Sequence, residues 1–299
     1  MSLARPLVLL ALIAAMLAGA ATAARSARAA FPPHGVAVLR TSYVAWNGDR
    51  RGMVVALPSA ALASAFVPRL PLVVALHGAA GHAQCDRWFG RAPLRFSFAV
   101  ACLDGQGVRT RGYSYGAPGQ IADQVRIPDL VRAALPGAAI DYRHVILVGQ
   151  SMGGLEALLA ANAAPDRWQA VVALDAPTDL AAHYAEVVAA GGRDRKSKAM
   201  RLECGGPPAV AAACYAARSP IAHLDRFGRS NVPLVLWWSR RDPIAGSPDQ
   251  APAYAYVLRA RYPRHRVEFR VGTWAHGRAW WEDGSRWLAD ALRLAGADR

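Results

Sequence analysis

Gly149-Gln150-Ser151-Met152-Gly153-Gly154 stands between an apolar run, Val145-Ile146-Leu147-Val148, and a helix-forming stretch from Leu155 to Ala163. A Gly-x-Ser-x-Gly turn at a strand-to-helix junction is tight enough to strain its serine, and larger residues at its glycines would strike the neighbouring elements. The turn lifts the hydroxyl above the sheet edge and aims a helix N-terminus at charge developing there. Ser151 is therefore the expected nucleophile. A serine hydroxyl is weak until a base takes its proton, and scaffolds with this turn run in the chain order serine, acid, histidine. His276 is the expected base, in Gly272-Thr273-Trp274-Ala275-His276-Gly277, after the last apolar run and before the last helix. His265 precedes its strand and falls at the wrong end of a sheet, while His183 and His223 lie in a cap-like stretch. The expected acid is Asp242, in Trp237-Trp238-Ser239-Arg240-Arg241-Asp242-Pro243-Ile244, which orients the imidazole. An Asp before Pro also starts turns, and both roles are compatible. Asp175 is the rival acid; with Asp242 preferred, it is left to line the pocket or brace the cap.

Acyl transfer further needs donors for an oxyanion. The backbone N–H of Met152 is one, and the N–H of Ala79 in His77-Gly78-Ala79-Ala80-Gly81 is the other. Trp237, Trp238, Trp274, Trp280 and Trp281 crowd the same part of the chain; most are core, with Trp274 a candidate for the pocket wall. His77, His82 and Cys85 fall close together, but no fourth ligand follows at zinc spacing, so no metal is expected.

The elements that must carry these groups alternate. Gly35–Leu39, Gly52–Leu57, Leu72–Leu76, Phe98–Cys102, Val145–Val148, Ala170–Leu174, Pro233–Trp238 and Val267–Val271 read as strands, several wholly apolar and hence covered on both faces. Helices are expected over Ile121–Leu135, with Pro128 splitting or restarting it, and over Leu155–Ala163, Ala251–Arg261 and Glu282–Leu294. This rhythm predicts an α/β architecture, a mostly parallel sheet with helices on both faces. Residues 179–229 break the rhythm and read as a cap insertion; its charged run, Arg193 to Lys198, is expected to be a solvated face.

Residues 1–24 carry Arg5, an apolar run from Leu7 to Leu17, and the small-residue site Ala21-Thr22-Ala23, the order of a secretory signal peptide. Ala27-Arg28-Ala29 offers a second cleavage site. The run is short for a membrane span, so the expectation is a secreted or envelope protein without stable membrane insertion, its main domain covering 33–299. Four cysteines in an exported chain favour disulfides. Of three pairings, Cys85–Cys102 and Cys204–Cys214 are preferred because each staples a local loop. The net charge of +14 is almost all scattered arginine, with only Lys196 and Lys198 as lysines, which argues against a nucleic-acid partner.

With these motifs placed, the chain resembles the α/β-hydrolase superfamily, and within it stand-alone relatives of the prolyl oligopeptidase catalytic domain and exported esterases similar to polyhydroxybutyrate depolymerase. Three stretches carry the resemblance: Leu76-His77-Gly78; Asp141-Tyr142-Arg143-His144-Val145 leading to the Ser151 turn; and Tyr215-Ala216-Ala217-Arg218-Ser219-Pro220-Ile221. It implies a cofactor-free, two-step reaction through an acyl-enzyme. The leading expectation is an exported esterase acting on a small-molecule or peptide acyl substrate. A serine peptidase for short peptides and a cell-envelope acyltransferase are the alternatives. The chain departs from the peptidases in having no room for a propeller ahead of the domain, and in lacking the second glycine after His77-Gly78.

Overall fold

The computed structural model describes residues 35–63, 69–105, 107, 109–110, 112–191, 195–278 and 286–294. Residues 1–24, expected to be a signal peptide, and Arg193, Asp194, Trp280 and Trp281 lie outside the described residues.

The apolar runs pair into one eight-stranded sheet: β1 (Val36–Val44), β2 (Arg50–Pro58), β3 (Leu70–Leu76), β4 (Ala99–Leu103), β5 (Ile140–Gln150), β6 (Ala170–Leu174), β7 (Leu234–Ser239) and β8 (Val267–Gly272). Their order is β1-β2-β4-β3-β5-β6-β7-β8. The two pairings of β2 are antiparallel, and those from β4 through β8 are parallel. The period of two splits the strands between two cores. Leu72, Val74 and Leu76 of β3 join one cluster, and Val73 and Ala75 join the other. Phe89 of helix α1 (Cys85–Phe89) fills the second cluster with Phe98 and with Trp287, Leu288 and Ala291, which belong to the last described helix. The first cluster is covered by α2 (Pro118–Val125), α3 (Ile127–Ala134) and α4 (Met152–Ala163). Residues Met152 to Ala161 of α4 are all buried, so this helix is enclosed on every side.

The helix expected over Ile121–Leu135, with Pro128 splitting or restarting it, is two helices that meet at Arg126. Pro128 has no N–H to offer the carbonyl four residues back, so it opens a new helix instead of continuing the old one. Between β6 and β7 the chain forms α5 (Leu180–Ala189), α6 (Arg195–Cys204) and α7 (Pro208–Ala217). The Asp179 carboxylate caps α5 by accepting from the Ala181 and Ala182 N–H groups at 2.9 and 3.0 Å. Helix α8 (Ala251–Arg261) follows β7, and α9 (Arg286–Leu294) ends the described chain. Disulfides join Cys85 to Cys102, Cα atoms 5.9 Å apart, and Cys204 to Cys214, 5.5 Å apart. The first ties α1 to β4; the second staples α6 to α7.

Register sets up the site. Gly149 of β5 lies opposite both Leu76 and Ala173, so the His77 loop, Ser151 and Asp175 emerge together at the carboxyl ends of three adjacent strands. Ser239 of β7 pairs with Gly272 of β8, which brings the Asp242 and His276 loops side by side at the same edge. Parallel sheets present their ligand-binding loops at this edge.

Candidate active site

Ser151 sits at φ 56°, ψ −124°, in the left-handed half of backbone space that non-glycine residues avoid. Such a conformation costs about 1–3 kcal/mol and persists only where the surroundings over-determine it. Here the Ser151 N–H donates to the Leu174 carbonyl at 2.8 Å, and the Ser151 carbonyl accepts from Gly154 at 2.8 Å as α4 begins. The glycines make the turn feasible. A Cβ at Gly149 would strike the Gly153 carbonyl, and one at Gly153 would strike the Leu76 carbonyl.

The Ser151 hydroxyl is 2.8 Å from Nε2 of His276, and Nδ1 of the same ring is 2.7 Å from Oδ2 of Asp242. Asp242 is buried, and its other oxygen accepts from the Ile244 and Ala245 N–H groups at 2.8 and 3.1 Å. The carboxylate therefore has one lobe anchored in its own turn and one left for the imidazole. An acceptor at Nδ1 holds the proton there and leaves Nε2 to receive the hydroxyl proton. This arrangement raises the nucleophilicity of an alcohol without a metal ion.

Asp175 stands behind this chain. It is fully buried at φ 47°, its N–H donating to the Trp237 carbonyl at 2.9 Å. Its carboxylate accepts from Trp274 Nε1 at 2.8 Å and from the Gly277 N–H at 3.0 Å, gripping the loop on both sides of His276. The Ser239 hydroxyl donates to the Trp274 carbonyl in the same loop. Burial pushes the Asp175 carboxyl up to about 6; the Trp274 bond opposes this and the Asp242 charge adds to it. Neither Asp175 nor Trp274 borders the cavities beside Ser151, contrary to the pocket-lining role expected of them. The indole N–H is engaged by the carboxylate, so both residues brace the His276 loop from behind.

On the other flank, His77 to Gly81 form a compact turn. His77 is buried; Nε2 accepts from the Gly105 N–H at 2.8 Å and Nδ1 lies 2.8 Å from the Gly78 carbonyl. An N–H directed at Nε2 requires that nitrogen bare, so Nδ1 carries the proton and donates it to Gly78. Desolvation lowers the pKa of His77, which keeps the ring neutral. Ala80, at φ 63°, donates its N–H to the Gly112 carbonyl at 2.7 Å. Ala79 lines the cavities beside Ser151, while Met152 is the first residue of α4, with its side chain buried. The N–H groups that open a helix have no partner within it.

The helices between β6 and β7 hold this flank in place. Glu203 of α6 accepts from the Arg109 and Thr110 N–H groups at 2.6 and 2.7 Å and from the Thr110 hydroxyl at 2.9 Å. Arg218 donates to the Ser114 carbonyl at 3.0 Å and lies 3.9 Å from the Glu203 carboxylate. Beneath them Glu156 of α4, fully buried and with its pKa raised by desolvation, accepts from the Gly116 N–H at 3.2 Å and from Ser114 and Gln124. Arg109, Thr110, Ser114 and Gly116 are thus pinned from both sides, and Gly105 and Gly112 beside them bond the His77 turn.

Two cavities open beside Ser151. One, of about 420 Å³, is bordered by Ser151, His276, Gly78, Ala79, Gln150, Gly277, Lys196 and Arg278. The other, of about 250 Å³, adjoins it along Gly78, Ala79, Gln150 and Gly277 and is bounded by Leu76 and Trp88. Lys196 was expected on a solvated face; it is half-buried and borders the site, while Arg195 and Lys198 are exposed. Arg278, Gln150 and Trp88 were not singled out in the sequence either. Gln150 lies inside the serine motif and Arg278 follows His276 by two positions, so proximity to the motifs was the signal for both. Asp175, Asp242 and His276 each bring one ligand-type atom within 4.8 Å of the others, but both nitrogens of the imidazole are already engaged.

This architecture, with a serine turn at the end of a central parallel strand, is the α/β-hydrolase fold. Residues 68–193 match the family model of serine aminopeptidase, S33. An S-formylglutathione hydrolase from Staphylococcus aureus superposes with TM-score 0.63 at 16% identity, over 88% of this chain and 99% of that one. One of two fungal esterases from Rhizomucor miehei gives 0.66 at 15% identity, over 92% and 88%. A putative dipeptidyl aminopeptidase IV from Bacteroides ovatus gives 0.65 at 13% identity; 88% of this chain is covered, but only 36% of that one. No curated protein matches the chain.

Proposed function

We propose that this protein is an exported serine hydrolase that cleaves carboxylic ester bonds through an acyl-enzyme on Ser151. The observation that carries the reading is the unbroken hydrogen-bond chain from Asp242 through His276 to a strained Ser151 bordering an open cavity. Ser151 Oγ attacks the ester carbonyl carbon as its proton passes to His276 Nε2, and Asp242 stabilises the imidazolium that results. The N–H groups of Ala79 and Met152 receive the oxyanion. Collapse expels the alcohol, which takes the proton from Nε2. Water, activated by the same nitrogen, then releases the acid and restores the hydroxyl.

An ester is favoured over a peptide because the structural neighbours this chain matches nearly end to end include an esterase and an S-formylglutathione hydrolase, whereas the peptidases extend far beyond the match. The serine aminopeptidase model keeps short peptides as the second reading. The paired disulfides and the 1–24 stretch favour export. Among the described residues no helix is long and apolar enough to cross a membrane. The test is labelling by a fluorophosphonate probe, followed by turnover of graded acyl esters against dipeptide amides, with Ser151→Ala as control. Wild-type protein that is folded and unlabelled ends the proposal; amide turnover exceeding ester turnover transfers it to the peptidase reading.

A further inference from the structure

The two compartments beside Ser151 adjoin along Gly78, Ala79, Gln150 and Gly277. Glycine and alanine carry no polar side chain, so among the described residues the Gln150 carboxamide is the one side-chain hydrogen-bonding group on that shared wall. Two loops leave room for it. A Cβ on Gly78 would come within 2.9 Å of Gln150 Oε1, and one on Gly277 within 3.1 Å of Nε2. The same point on Gly78 lies 3.5 Å from the Ser151 Cβ, so the carboxamide and the serine face one small volume. Within the described residues the carboxamide makes no hydrogen bond, although its oxygen accepts and its NH₂ donates. His77, which also borders the smaller compartment, has both ring nitrogens engaged by the backbone of Gly105 and Gly78.

We propose that Gln150 is a specificity-determining residue: its carboxamide hydrogen-bonds a hydroxyl group carried close to the scissile bond, so that the Ser151 site acts on hydroxyl-bearing esters. This rests on the hydrolase reading above. An ester in reach of Ser151 that extends from one compartment to the other lies along Gln150. A hydroxyl both donates and accepts, as the carboxamide does, and the pairing needs no charge on either side. A plain alkyl ester in the same place covers the carboxamide and leaves it unpaired, and a site with an unpaired polar group disfavours the analogue that lacks the hydroxyl.

The test compares kcat/KM within two pairs of esters matched in size. Each enantiomer of ethyl lactate against ethyl 2-methylpropanoate places the hydroxyl on the acyl side; 2-hydroxyethyl acetate against propyl acetate places it on the alcohol side. Each ratio is divided by the same ratio for hydrolysis by hydroxide, which removes the inductive effect of the hydroxyl, and Ser151→Ala is the blank. Wild type is expected to favour the hydroxy ester by about fivefold to tenfold in at least one pair, the worth of one hydrogen bond. The pair that shows it identifies the half of the ester that lies along Gln150. In Gln150→Met, which keeps the length without the carboxamide, the preference is expected to vanish; Gln150→Leu is the second variant should the first not fold. Fluorophosphonate labelling of Ser151 identifies the variants that are folded and reactive. Labelled, active wild type with no preference in either pair, or a preference that persists in a labelled Gln150 variant, overturns the assignment to Gln150 alone. Wild type that neither labels nor turns over any of these esters overturns the hydrolase reading, and this assignment falls with it.

Discussion

The two flanks of Ser151 are held by different means. On the base side, the loop carrying His276 is tied directly to the ends of neighbouring parallel strands: Asp175 after β6, Asp242 and Ser239 from β7. On the proposed oxyanion side, the His77 turn leans on Gly105 and Gly112, next to Arg109, Thr110 and Ser114, which are pinned by Glu203 and Arg218 from the helical insertion. The first flank inherits its precision from the sheet, one bond away. The second depends on a relay of backbone groups and a polar clamp stapled by the Cys204–Cys214 disulfide. Damage to the first should abolish the chemistry outright; damage to the second should degrade it by loosening a loop.

The largest expected effect is that of Ser151→Ala, which removes the proposed nucleophile and should lower kcat for ester hydrolysis by about 10⁶-fold with the melting curve little changed. Retained turnover would place the chemistry elsewhere. Asp242→Asn keeps the shape but no longer holds the imidazole proton at Nδ1, and should cost about 10⁴-fold in kcat with KM nearly constant. Asp175→Asn separates positioning from acid function. It can accept at one oxygen only, so it should lose about tenfold to a hundredfold in kcat, the worth of one charge-assisted hydrogen bond.

Asp175 also carries a pH signature. Its carboxyl, raised to about 6 in the fold, binds a proton more tightly than in the unfolded chain. Across pH 4 to 6 the unfolded state has therefore already lost a proton that the native state keeps, so this group's contribution to stability falls as pH rises through that window. Denaturant melts of wild type against Asp175→Asn should show the difference shifting in the variant's favour between pH 4 and 6 and levelling above. A pH-independent difference would mean that Asp175 is ionised in the fold at all these pH values.

On the other flank the effects should be smaller. Glu203→Gln can still accept a hydrogen bond but loses the charge that strengthens three of them and faces Arg218. It should reduce kcat several-fold, with the labelling rate of Ser151 falling in step. The smallest functional effect belongs to opening the Cys204–Cys214 disulfide. Its short loop gives about 3 kcal/mol of stabilisation by the chain-entropy model, so reduction should lower the melting temperature well before it alters kcat. If Glu203→Gln and disulfide loss each matched Asp242→Asn in severity, the contrast between the flanks would be void.

Much of this arrangement was legible in the residues. The Ser151 turn, the His276 loop and the Asp242 turn each sit directly after an apolar run, and a strand end in a parallel sheet is a fixed address. The disulfide pairings followed from short spacings within an even set of four. Lys196 was not legible, because a charged run reads as solvent-facing until the helices around it are folded back over the sheet. Asp175 was legible as an acid at the right edge, but its grip on Trp274 and Gly277 depends on how β6 and the base loop meet. Nor did any spacing announce that Glu203 reaches the backbone of Arg109 and Thr110.

By itself, then, the sequence determined the strand-and-helix alternation, the serine turn and the order of its three candidate reacting groups, because those depend on local periodicity and on glycines at close approaches. Tertiary structure alone decided which second carboxylate braces the His276 loop, which insertion residues clamp the groups beside the His77 turn, and which charges border the cavity. Those contacts join residues far apart in the chain, and their energies exist only once the sheet edge and the helices packed beside it have met.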